Sequence, residues 1–182
     1  MLKSRGFTLL ELVIGFVVLG IVLAGFSALL VPNQQQSVQT WQQVRAAELA
    51  QSLLNEITAR SFDEQSDRSG TGLRCGESGA SSCLASFAAC PVSGMTASTE
   101  ESVRSAYDDV DDYHCLRGDA SSFSDMLGAS LAQDYAGYQI AVQVSYAGTS
   151  VGVSNTLIKN ITLIVTTPTN LTLQFDALKG NW

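Results

Sequence analysis

The sequence predicts an α+β protein: one long N-terminal α-helix packed on a small antiparallel β-sheet. Three observations carry this. Residues 7–31 form a membrane-length apolar run. An amphipathic helical pattern follows and continues to about residue 60. The last third of the chain alternates apolar and polar residues in three short segments separated by turn signals.

The apolar run is 25 residues long, enough as a helix to cross a hydrocarbon core of about 30 Å. Lys3 and Arg5 precede it, which keeps the first residues cytoplasmic and sends the remainder outward. A secretory signal carries a shorter apolar stretch and a small-x-small cleavage site behind it. This run is too long for that, and Glu11 interrupts it. No charged residue lies between Glu11 and Arg45. An ionisable group in lipid costs roughly 2.5 kcal/mol or more at a helix centre, so Glu11 requires a positive partner. Gly20, Ala24 and Ala28 add a small-residue face suited to close helix packing.

Beyond Pro32, where a kink or local opening is expected, Val38, Ala46, Leu49, Leu53 and Ile57 share an arc of about 100° at 3.6 residues per turn. That face should lie on the sheet. The strands are expected over residues 138–146, 157–166 and 171–175. Ile140, Val142 and Val144 line one face of the first, and Ile161, Leu163 and Val165 one face of the second. Ala147-Gly148-Thr149 and Pro168-Thr169-Asn170 mark the turns. Short connections make the sheet a meander.

Between helix and sheet, residues 61–136 hold 13 of the 17 acidic residues and all four cysteines. Apolar periodicity fades there, apart from a short helix expected over residues 122–133. The expected organisation is therefore residues 1–6 as a leader, 7–31 as the membrane helix, 32–60 as its amphipathic continuation, 61–136 as a disulfide-tied acidic region and 137–182 as the sheet.

Cys75, Cys83, Cys90 and Cys115 all follow the membrane segment, and an even count in an exported region reads as disulfides. Three pairings are possible; Cys75–Cys83 with Cys90–Cys115 is favoured, closing one short loop and one long one. Zinc is the alternative, but the spacings fit no finger or ribbon. Asp108, Asp109, Asp111 and Asp112 form an acidic cluster. A solvated, hydrogen-bonded loop is the expected reading and a weak calcium site the alternative; the spacing is not that of an EF-hand. His114 beside Cys115 raises a Cys–His nucleophile pair, which needs a free thiol that an oxidising compartment withholds. No HExxH, GxSxG or phosphate-cradling loop occurs, so no enzyme and no cofactor are expected. The net charge of −7 excludes a basic nucleic-acid footprint.

The string Gly6-Phe7-Thr8-Leu9-Leu10-Glu11 resembles the class III leader of type IV pilins and pseudopilins. The resemblance implies cleavage between Gly6 and Phe7 by a prepilin peptidase, N-methylation of Phe7, and a charge pair between Glu11 of one subunit and the Phe7 amine of the next. Loss of Lys3 and Arg5 would bring the formal charge from −7 to −9. RAAELAQSLLNE at residues 45–56, SFDE at 61–64, RCG at 74–76, YDDVDDYH at 107–114, ITLIVTTP at 161–168 and ALKGNW at 177–182 are similar to the MshD group, minor pilins of the MSHA (mannose-sensitive haemagglutinin) type IV pilus system. Residues 78–105 and 120–136 match no such pattern. The resemblance implies a minor subunit that helps initiate or cap a pilus used in surface attachment. Its partners would be major and other minor pilins, the prepilin peptidase and the inner-membrane assembly platform. It would pass once through a bacterial inner membrane with its C-terminal domain periplasmic, and then reach the cell surface. A type II secretion pseudopilin and a pilus-displayed adhesin or ligand-binding module are the alternatives.

Overall fold

The computed structural model describes residues 8–66, 72–90, 101, 103–123 and 130–182, with only the backbone of 28–37. The first helix, α1, spans Leu9–Ala59 and is unbroken at Pro32. The chain divides into two compact units at Trp41/Gln42.

In the first unit, Leu9–Ser27 is long and apolar enough to cross a membrane, with a mean hydropathy of 2.6. None of this span is buried within the protein. Thr8 stands at the N-cap, and its Oγ1 accepts the Glu11 backbone N–H at 3.3 Å. Thr8 and Glu11 therefore have the spacing of a capping box, and the carboxylate sits at the positive end of the helix dipole.

In the second unit, the part of α1 from Gln42 onward is amphipathic. Ala46, Leu49, Ala50, Leu53 and Ile57 are buried in the core with Ile140, Val142, Val144, Ile161, Leu163 and Val165. Val38, expected on the same stripe, is 53% exposed.

The sheet has four strands, one more than expected: β1 (Arg117–Asp119), β2 (Gln139–Tyr146), β3 (Ile158–Thr166) and β4 (Thr172–Gly180), in the antiparallel order β1-β2-β3-β4. β1 comes from the acidic region. It has no apolar alternation and forms by pairing Arg117 with Ala141 and Asp119 with Gln139. β4 runs five residues beyond the expected stop at Phe175, because β3 supplies a full ladder as far as Ile158↔Gly180. Of the short helix expected over residues 122–133, residues 124–129 lie outside the described residues, and the described residues 130–133 are bridge and turn rather than helix. At its described start, Ala120–Ser122 is a single 3-10 turn, capped by Asp119, which accepts the Ser121 N–H.

The β2–β3 connection is tight. A Cβ built on Gly148 would lie 1.9 Å from the Ser154 carbonyl oxygen. Backbone there can only shift as a whole, so Gly148→Ala should lower stability by about 1–3 kcal/mol, read as a fall in the denaturant midpoint.

Candidate functional site

The N-terminal site is an apolar surface with one charge. Leu9, Leu10, Leu12 and Val13 are each at least half exposed, as are Phe16, Ile21 and Phe26 further along. At Gly15, Gly20 and Gly25 an added Cβ would meet nothing within 4 Å. A surface apolar on all sides is stable only against lipid or other apolar helices. Glu11 lies in the first helical turn at the edge of this surface. Gly6 and Phe7, the expected cleavage and methylation residues, lie outside the described residues.

The head is organised around a residue that belongs to none of the sequence motifs. Lys159 on β3 is fully buried. Its Nζ donates to Asp111 Oδ1 and Oδ2 at 2.6 and 2.8 Å, to Asp63 Oδ2 at 3.3 Å and to the Phe62 carbonyl. The ammonium also stands over the Phe62 ring, 4.2 Å from its centroid. The cation thus ties the sheet to the segment leaving α1 and to the acidic cluster.

That cluster is not the solvated loop expected. Asp109 and Asp112 are each 1% exposed, and the Asp111 side chain is 9% exposed. Burial is possible because each carboxylate has donors. Asp109 Oδ1 accepts the N–H groups of Asp111 and Asp112, and Asp112 Oδ2 accepts those of Asp108 and Asp109. Asp111 has Lys159. The segment is also pinned to Ser61, which donates to the Asp108 carbonyl and accepts from the Val110 N–H. The four aspartates do not converge on one centre, so the calcium alternative does not apply to them as a set. Asp108 approaches Asp109 and Glu64 on one side, and Asp112 and Glu101 on the other, with carboxylate oxygens within 4.8 Å in each group.

Burial, and after it the Asp112 charge, pushes the Asp109 carboxyl up to about 6. Burial pushes Asp111 up to about 7 against the pull of Lys159. The folded state therefore holds protons that the unfolded chain, near 3.8, has released. The stability these two groups contribute is complete below about 3.8 and is lost as pH rises through about 6 and then about 7. The melting temperature should fall from pH 5 to pH 8, and Asp109→Asn should flatten the fall. A rise over that interval would contradict the assignment.

Around this hub other polar residues fasten the segments of the fold to one another. Cys75 is bonded to Cys83, and Cys90 to Cys115. The Cys115 thiol needed for a Cys–His nucleophile is consumed. His114 Nδ1 accepts the Val144 N–H at 3.1 Å, so Nε2 carries the proton and donates to the Ala88 carbonyl at 2.8 Å. His114 thereby pins the segment before Cys90 to β2. Tyr113 donates to Glu56 Oε1 at 2.8 Å, and Arg104 donates to Glu56 Oε2 at 2.6 Å, closing the acidic region over α1.

Residues 1–27 match the family model described as the prokaryotic N-terminal methylation motif. This chain has a type-IV-pilin-like N-terminus. No curated protein and no solved structure matches the chain. The architecture is type-IV-pilin-like as well: a single N-terminal apolar helix long enough to span a membrane, continued by an amphipathic half on a small antiparallel sheet. Glu11 lies in the first helical turn, within the matched residues.

Proposed function

We propose that this chain is a minor pilin subunit of an MSHA-like type IV pilus, helping to initiate or cap the filament. A prepilin peptidase cuts between Gly6 and Phe7, and the new Phe7 amine is N-methylated. The subunit waits in the inner membrane with its head in the periplasm, then passes through the assembly platform into the filament. There its apolar helix packs among those of the major and other minor pilins, and Glu11 meets the Phe7 amine of a neighbour.

The observation that supports this most is the placement of Glu11. It is the single charge on the wholly exposed apolar span Leu9–Ser27, and it lies in the turn next to the proposed cleavage point inside a matched methylation motif. In a low-dielectric helix bundle an ion pair offsets its burial cost only when both partners are present and well placed, so it rewards one register over others. The resemblance of YDDVDDYH and ALKGNW to MshD-type pilins favours a pilus over a secretion pseudopilus. Shearing cells and probing the filament fraction tests this. The protein should co-purify with surface filaments; strict confinement to the periplasmic and membrane fractions would favour the secretion system instead.

A further inference from the structure

The exit of α1 carries a cleft of about 240 Å³ whose described lining is cationic. The protein is acidic overall, at −7, yet Arg60, Arg74 and Lys179 all line this cleft, and among the described residues no carboxylate side chain does. Arg60 uses its Nε on the Tyr113 hydroxyl at 3.3 Å. Its two terminal nitrogens have no partner among the described residues. Lys179 donates to the Thr58 carbonyl at 2.8 Å, which covers the negative end of the helix where it would otherwise oppose an anion.

The cleft is also built rather than incidental. Its floor is a buried relay: Ser66 Oγ donates to Asn181 Oδ1 at 3.2 Å and accepts the Cys75 N–H, and Asn181 Nδ2 donates to the Cys75 carbonyl. The Cys75–Cys83 bond then fixes the backbone next to Arg74. Trp182 forms one wall. A Cβ on Gly180 would fall 2.1 Å from the Trp182 ring, so the indole lies directly against the bare Gly180 backbone. Even so, Trp182 is 78% exposed, and the ring is a held platform with a face open to solvent.

Cations together with a seated, exposed indole form a surface for a ligand having both an anionic group and an apolar ring face. We infer that this cleft binds an acidic saccharide, a hexuronate ring stacked on Trp182 with its carboxylate toward Arg60 and Arg74. Charge alone would recruit any anion, whereas the indole adds contact only for a ring. The cleft opens at Ala59, about 26 Å along α1 from Gln42, at a rise of about 1.5 Å per residue. The inference is independent of which filament the subunit enters.

The test is a titration of the full chain in detergent, with Trp41→Phe leaving Trp182 as the single tryptophan fluorophore. Sodium glucuronate should give a saturable change in emission. Glucose should bind about tenfold more weakly or worse, because it lacks the charge-assisted contacts. Inorganic sulfate should also be weaker, because it has no ring. Arg74→Ala should weaken glucuronate about tenfold without altering the melting temperature, since its acidic contact among the described residues, Glu77 at 3.5 Å, is on the surface. Calorimetry on Trp182→Ala should find glucuronate binding lost. No saturable response to glucuronate, equal affinity for glucose or sulfate, or unchanged binding by the Trp182 variant would each overturn the inference; the comparison of the three ligands needs no variant in the cleft.

Discussion

Replacing Lys159 with methionine should destabilise the head by about 3–5 kcal/mol, the cost of leaving a buried charge without its partner. Methionine fills much of the space of the lysine stem, so the loss arises from Asp111 and Asp63, which would face an apolar side chain. The pH dependence separates this from a packing defect. Burial already places Asp111 at about 7, and without Lys159 the carboxyl rises further and takes up a proton in mild acid. The deficit should therefore be largest above pH 7 and shrink toward pH 5. Adding Asp111→Asn to Lys159→Met should restore part of the loss at pH 8. A cavity or shape effect would be indifferent to pH and unrelieved by the second change. Chemical denaturation of the full chain at the two pH values distinguishes them.

The second large effect is at Glu11. Glu11→Gln and Glu11→Ala should both insert into the membrane normally and both fail to enter filaments. The expected loss per subunit contact is again about 3–5 kcal/mol, a drop in incorporation of a hundredfold or more. The glutamine variant is the informative one. Thr8 and residue 11 have capping-box spacing, and glutamine serves in that box as glutamate does. A variant that retains the helix start but lacks the charge isolates the ion pair. If Glu11→Gln subunits appear in sheared filaments at the native level, the carboxylate acts only as a helix cap and the charge pair is not what drives assembly.

Most of the architecture was legible because periodicity is a local signal. Ala46, Leu49, Leu53 and Ile57 recur at helical spacing, and Ile140, Val142 and Val144 alternate; all are buried as expected. What was missed depends on partners distant in sequence. β1 has no pattern of its own and exists because β2 offers an edge. The burial of the acidic cluster depends on a lysine 48 residues downstream of Asp111. A signal for Lys159 was nevertheless present: it has the same strand parity as Ile161, Leu163 and Val165, so alternation already placed a cation on the inner face of β3. Three acidic residues packed into a core are then less surprising than three acidic residues alone. The cleft at the α1 exit was hidden for the same reason, since Arg60, Arg74 and Lys179 meet only after the sheet has closed on the helix.

The central claim is that a newly exposed amine at the head of the apolar span answers the one acid within it, Glu11. Intact mass together with N-terminal sequencing of the protein recovered from cells tests it most directly. The expected result is a chain beginning at N-methylated Phe7, with a mass reduced by the leader and by the hydrogens lost in two disulfides. A chain that begins at Met1, or one that begins downstream of Val31 with the apolar helix removed, would contradict it.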